Sequence, residues 1–175
     1  IQHAAIAGFQ VSREMDEYFQ ITRKIHELMG EYVYEKLREI PGVTSTKPQA
    51  TFYLLADFNQ FSPEFNASKI TSSQKFSETL IQHPYHTAIV GGDSLVLERT
   101  DFSARMAFVD YDGKNAFEHY LDNAPKTKSD KLEFVQTVAP RVISGLGMVE
   151  TYLDNLLKNA HSQIECDTPP LTVSN

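Results

Sequence analysis

Hydrophobic residues recur at helical spacing through a long stretch near the start of the chain. Between Glu14 and Ile40, apolar side chains return every three or four residues, which is the repeat of an amphipathic helix with one buried face. Pro41 and Gly42 follow directly. Proline cannot continue the backbone ladder and glycine tolerates a left-handed exit, so the sequence predicts a helix that ends at Ile40.

Shorter apolar runs beyond this helix predict a small sheet. TFYLLADF at 51–58, TAIVGG at 87–92 and SARMAFV at 103–109 are rich in aliphatic or aromatic residues and short enough to be strands. Helical spacing predicts two further helices, at 73–82 and from Asp112 or Gly113 to Leu121, whereas the polar stretch 58–73 predicts a connection. This order of elements predicts an α+β fold, a short sheet covered by helices.

A different pattern follows this α+β unit, which we expect to occupy 1–124. Residues 125–131 have almost no apolar content and predict a linker. Residues 132–161 carry one apolar seam with alternating steps of four and three, which predicts a C-terminal helical extension. Pro140 within this seam favours a docked or kinked helix over an unbroken coiled coil. Residues 162–175 lack periodicity and predict a flexible tail.

Composition narrows the class of protein. The formal net charge is -7 and the isoelectric point is about 5.3, so no basic field favours nucleic acid or an anionic membrane surface as a partner. No apolar run reaches the roughly 18 residues of a spanning helix, and the start lacks the pattern of a signal peptide. The lone Cys166 can form neither an internal disulfide nor a cysteine zinc site. We therefore expect a cytoplasmic protein.

Most candidate chemical motifs have simpler structural interpretations. His83 and His86 flank Pro84, but no complementary ligand pair stands elsewhere, so a turn with two surface imidazoles is expected and no metal site. Gly91 and Gly92 lack the rest of a phosphate-loop motif and predict a tight turn at a strand end. No motif of a catalytic nucleophile is present, so we expect no catalytic residue in this chain.

Arg105 stands out because its neighbours in SARMAFV are apolar. A strand of this composition is at least half buried, and a buried guanidinium is costly unless an anion meets it. The planar fork of arginine can hold a carboxylate through two parallel hydrogen bonds. The alternative is an internal ion pair with Glu98, Asp101 or Asp110. Composition alone leaves both interpretations open.

The order of these landmarks resembles the C-terminal small domain of class I and II aminotransferases. These are fold-type I pyridoxal-phosphate enzymes of the aspartate aminotransferase family. The resemblance covers about 1–124. It rests on five segments in order: IQHAAIAGF at 1–9, similar to the helix after the family's cofactor lysine, LREIPGV at 37–43, KPQATFYLLADF at 47–58, HTAIVGGDSL at 86–95 and SARMAFV at 103–109. Ala50 and Thr51 depart from the family's usual glycine and alanine.

The resemblance implies one specific role. The family's strand arginine binds the substrate α-carboxylate, and by position that arginine is Arg105. Phe52 and Tyr53 match an aromatic pair near the family's active site, although packing within a strand is the default expectation for both. The family's cofactor-binding residues precede the segment matched here. The resemblance thus implies no cofactor-binding residue and no pyridoxal phosphate bound to this chain alone.

The longer parent enzyme implied by the resemblance is a transferase. It would move an amino group between an amino acid and a 2-oxo acid, as a cytoplasmic homodimer. Two alternatives remain open at this stage. The parent could be a lyase, an acyltransferase or a regulator with an aminotransferase-like sensing domain. The chain could instead be an interaction module whose seam at 132–161 pairs with a partner helix.

Overall fold

The computed structural model describes residues 2–9 and 12–167. Within this part, helices surround a small antiparallel sheet, which confirms the predicted α+β fold with a C-terminal helix. Single-turn 3-10 helices stand at Asn59–Phe61 and Gly92–Leu95. The longer elements are, in chain order, α1 (Gln2–Gly8), α2 (Arg13–Glu39), β1 (Thr44–Ser45), β2 (Tyr53–Asp57), α3 (Ser62–Ala67), α4 (Ser73–Ile81), β3 (Val90–Gly91), β4 (Ser103–Ala107), α5 (Gly113–Asp122), α6 (Lys128–Val138) and α7 (Pro140–Asp167).

Helix α2 confirms the predicted long amphipathic helix, and its ends have local chemical causes. The Ser12 side chain accepts a hydrogen bond from the Met15 amide and caps the first turn. Acidic residues stand in the first turn and basic residues in the last, which complements the helix dipole. After Pro41, Gly42 has a φ of 88°, a left-handed conformation that side chains other than glycine rarely adopt.

The sheet has the order β1-β2-β4-β3, so β2 and β4 are its central strands. They confirm the strands predicted at 51–58 and 103–109, whereas the run at 87–92 contributes only Val90 and Gly91. Because side chains alternate between faces, one face of β2 and β4 is buried, whereas the other is half-buried or exposed except at the buried Ser103. The buried face is made by Leu54, Ala56, Ala104 and Met106.

The connection predicted at 58–73 is wrong in one respect, because it contains the short helix α3. Phe65 of this helix is fully buried and stacks on Phe102, with ring centroids 4.5 Å apart. The ring centroid of Phe76 lies 4.8 Å from that of Phe65, and the centroid of Phe58 lies 5.1 Å from that of Phe76. Helix α3 is therefore held by an aromatic cluster. Its other rings are Phe102, just before β4, Phe76 in α4 and Phe58, just after β2.

The C-terminal part is built into the same core. The predicted linker at 125–131 already contains the first residues of α6, which a capping box between Thr127 and Asp130 starts. Pro140 opens α7, so the predicted kink is a break at Ala139 between two helices. The apolar seam is buried against the rest of the chain at Val135, Ala139, Val142, Leu146, Val149, Leu153 and Leu156.

The chain beyond the seam was expected to be a flexible tail from 162. The backbone of α7 continues to Asp167, and it includes Cys166. The remaining part of that expectation, 168–175, lies outside the described residues. No helix in the part of the chain described by the structure is both long and apolar enough to cross a membrane.

Candidate functional site

Arg105 lies on the less buried face of the sheet. Its neighbours in β4, Ala104 and Met106, point into the core, and alternation places the Arg105 side chain on the opposite face. The cross-strand partners of Arg105 are Leu55 on β2 and Val90 on β3. Arg105 is half-buried, as the sequence predicted. Arg105 therefore stands between two apolar residues on the less buried face of the sheet.

None of the three acids suggested as internal partners forms an ion pair with Arg105. Asp110 instead pairs with Arg141, with an Nε–Oδ1 distance of 2.8 Å. The Asp101 carboxylate accepts hydrogen bonds from the Ser103 hydroxyl at 2.6 Å and from the Asn59 amide at 3.0 Å. These bonds lower the pKa of Asp101, with Ser103 the larger cause. Within residues 2–9 and 12–167, neither an ion pair nor a hydrogen bond engages the Arg105 side chain.

The Arg105 guanidinium has one aromatic contact, with Tyr53 of β2. The guanidinium carbon lies 5.1 Å from the centre of the Tyr53 ring, within the range of a cation–π interaction. The register explains the pair, because Tyr53 is opposite Ala107 and therefore diagonal to Arg105 on the same face. Tyr53 keeps 37% of its surface exposed and Phe52 keeps 48%. The expectation that both rings pack within a strand is therefore wrong.

A shallow depression of about 410 Å³ lies beside this pair. The Lys47 and Arg105 side chains bring two cations to it, and no carboxylate residue lines it. The other lining residues are a mixture of polar residues, such as Thr46 and Gln49, and apolar ones, such as Leu55 and Leu95, together with Tyr53. A depression with two basic residues and no acidic one is suited to a small anion.

The backbone is strained at the entrance to β2. Thr51 has a φ of 67°, and a branched side chain is disfavoured in this left-handed region. Such conformations persist only where the surroundings impose them, and they concentrate at functional sites. The strained residue directly precedes Phe52 and Tyr53, whose rings meet edge to face at 5.4 Å. Thr51 is also one of the positions where the sequence departs from the aminotransferase pattern that it resembles.

A larger groove of about 1080 Å³ also borders the segment 47–52, along the middle of α2. His26 lines it, with its ring 6.5 Å from that of Phe52. Burial lowers the pKa of the His26 imidazole, and its buried Nδ1 has no hydrogen-bond partner. His26 was not among the predicted site residues, because it occupies an ordinary position on an amphipathic helix. The one sequence signal for His26 is its position one turn before the buried Met29, and this arrangement is too common in helices to predict a site.

The other motifs remain apart from this face. The rings of His83 and His86 meet at 5.6 Å on an exposed turn. Among the residues for which the structure is described, no group of three or more histidine, cysteine or acidic side chains could hold a metal ion. Strand β3 ends at Gly91 and the 3-10 helix begins at Gly92, so the two glycines stand at a tight turn at a strand end as expected, although the φ of Gly91 is an ordinary -60°. A Cβ at Gly91 would lie 2.6 Å from the Ser73 backbone, so close packing on α4 explains this glycine.

Comparison with known proteins adds no family. A scan against protein-family models found no match, and a search of curated proteins found no match either.

Proposed function

We propose that this chain is the carboxylate-binding small domain of a pyridoxal-phosphate-dependent aminotransferase. In this proposal Arg105 binds the α-carboxylate of the amino acid or 2-oxo acid substrate. The observation that carries it is the Arg105 guanidinium itself, half-buried on the less buried sheet face with no acid paired to it. A guanidinium that is partly desolvated and unpaired favours an anionic ligand.

The proposed role is one of binding and orientation. Two parallel N–H donors of the fork meet the two carboxylate oxygens, which fixes the direction of the bound molecule as well as its charge. Orientation lowers the barrier because a reactant held in one geometry loses no further freedom in reaching the transition state. The cofactor supplies the electron sink of amino-group transfer when it is bound to the parent enzyme.

Three lysines of this chain, Lys24, Lys36 and Lys131, do not fit the role of cofactor anchor. An anchor lysine must be available as the neutral amine, which requires a lowered pKa. Glu27, Glu39 and Glu31 hydrogen-bond to lysines and raise their pKa instead, as is seen for Lys24, Lys36 and Lys131. As the family resemblance implies, the proposal assigns cofactor binding to a part of the parent enzyme outside this chain, and it expects this chain alone to be catalytically inactive.

The proposal extends to the setting of the parent enzyme. We expect a homodimer in the cytoplasm, because the resemblance to the aminotransferase family implies both. The alternative of a helical interaction module has less support, because the seam residues from Val135 to Leu156 are buried against the rest of the described chain.

Kinetics of the natural polypeptide that carries this sequence test the proposal. Arg105→Ala should raise the KM for the amino acid about 10- to 150-fold, since a hydrogen bond to a charged group contributes about 1.5–3 kcal/mol. Arg99→Ala is the matched control, because Arg99 is an exposed arginine shortly before the same strand. An unchanged KM in Arg105→Ala, or no amino-group transfer by the natural polypeptide, contradicts the proposal.

A further inference from the structure

The Arg105 side chain has no polar partner to fix its direction. An arginine has several rotatable bonds, and ordering them on ligand binding costs conformational entropy. A surface guanidinium without a partner would therefore bind a small carboxylate weakly. The described structure supplies one contact that restricts it, the ring of Tyr53 at 5.1 Å.

We propose that Tyr53 is a positioning residue that holds the Arg105 guanidinium ready for the substrate carboxylate. This inference rests on the proposed function and adds a second residue to the same site. The ring attracts the guanidinium through its electron-rich face, which leaves the N–H donors free for an anion. A neighbouring carboxylate would hold the arginine as well, but it would occupy those donors and cancel the charge.

The position of the Tyr53 ring is itself fixed by the strand. Its backbone belongs to the β2–β4 ladder opposite Ala107, whose small side chain leaves room on the less buried face. The Phe52 ring contacts it edge to face at 5.4 Å. The strained Thr51 begins this segment with a φ of 67°. The register of the central strands thus places the Tyr53 ring, and the cation–π contact with this ring places the Arg105 guanidinium.

A second cation–π pair provides a matched control. Arg38 lies 5.3 Å from the ring of Tyr34, four residues earlier on α2. The two pairs have nearly the same separation but stand on different elements. Neither residue of the Tyr34–Arg38 pair lines the depression beside Arg105. Removing the Tyr34 ring should therefore leave anion binding at Arg105 unchanged.

The contact is tested first without any ligand, in the 175-residue chain labelled at arginine for NMR spectroscopy. A ring over the guanidinium should shift the Arg105 Hδ and Hε resonances upfield. Tyr53→Leu should remove this shift and Tyr53→Phe should retain it, because phenylalanine keeps the ring face. Tyr34→Leu should leave the Arg105 resonances in place. An Arg105 resonance that is the same in Tyr53→Leu overturns the proposal.

Anion affinity is tested next by titrating the same chains with sodium acetate. Sodium chloride holds the ionic strength constant, because salt screens exposed charges. We expect Tyr53→Leu to weaken acetate binding at Arg105 about two- to fivefold, with Tyr53→Phe restoring it. Equal affinity in Tyr53→Leu and the natural chain overturns the positioning role. If Arg105 in the natural chain binds no acetate, the proposed function fails, and the ligand-free comparison alone still decides whether Tyr53 holds Arg105.

Discussion

Truncation of Leu153 tests whether the C-terminal helices belong to one cooperative core. Leu153 lies in α7 and is only 1% exposed within the cluster that also contains the sheet's buried face. Leu153→Ala should lower the free energy of unfolding by about 3 kcal/mol, since it removes buried methyl groups and leaves a cavity. With a urea dependence of about 2 kcal/mol per molar, the midpoint should fall by about 1.5 M.

Leu132→Ala is the matched control for this substitution. Leu132 is also helical, in α6, but it is 43% exposed. Because both changes are leucine to alanine in a helix, they share the same change in helix propensity. The control should cost less than about 1 kcal/mol.

The measurement is urea unfolding, monitored by far-ultraviolet circular dichroism and by tyrosine fluorescence. The eight tyrosines of the chain report on its tertiary packing and circular dichroism reports on its helices, so one core predicts coincident transitions from both signals. Two separate transitions would contradict the reasoning. So would a Leu153→Ala midpoint equal to that of the Leu132→Ala control. Either result would mean that α6 and α7 form an independent extension.

Three further changes test local features of the fold. Gly91→Ala should destabilise the protein in thermal unfolding because its Cβ would meet the Ser73 backbone at 2.6 Å, whereas Gly145→Ala, whose nearest neighbour is 3.9 Å away, should be neutral or stabilising. Val96→Gly should raise the free energy of unfolding by about 1 kcal/mol because Val96 is exposed with a φ of 66°; a lower value would refute the inferred strain. Folding lowers the pKa of Asp101 from 3.8, so its carboxylate stabilises the folded protein at a pH above the pKa of the unfolded state. This stability is lost as the pH falls through the pKa of the folded state. Acid titration of unfolding should therefore be flatter for Asp101→Asn than for the natural chain, and equal slopes would count against this role.

The elements that the sequence predicted well have strong local signals. Helix α2 combines a long period of apolar positions with the Ser12 cap and the Pro41 stop, so periodicity and chemistry agree. Strands β2 and β4 are short apolar runs, and each buries one face in the core. Helix α3 escaped prediction because it is six residues long and is held by the distant Phe102 ring. Tertiary contacts of this kind leave no periodic trace.

The sequence predicted Arg105 of the candidate site but not its contact with Tyr53. An arginine within apolar neighbours identifies Arg105, because the cost of burying a charge does not depend on the fold. Its contact with Tyr53 depends on the register of β2 against β4, which sets which residues are diagonal neighbours. The sequence of a single strand does not encode that register. The absence of an ion pair between Arg105 and Glu98, Asp101 or Asp110 likewise depends on the tertiary fold, which pairs Asp110 with Arg141 and Asp101 with Ser103 and Asn59.

Site-resolved modification of arginine tests the central claim most directly, that Arg105 offers an unpaired guanidinium to a carboxylate. The chain is treated with phenylglyoxal with and without pyruvate at constant ionic strength, and mass spectrometry gives the rate at each arginine. We predict that pyruvate slows the modification of Arg105 and leaves Arg99 and Arg23, both exposed, unchanged. Arg105 slowed no more than those two arginines would contradict the account.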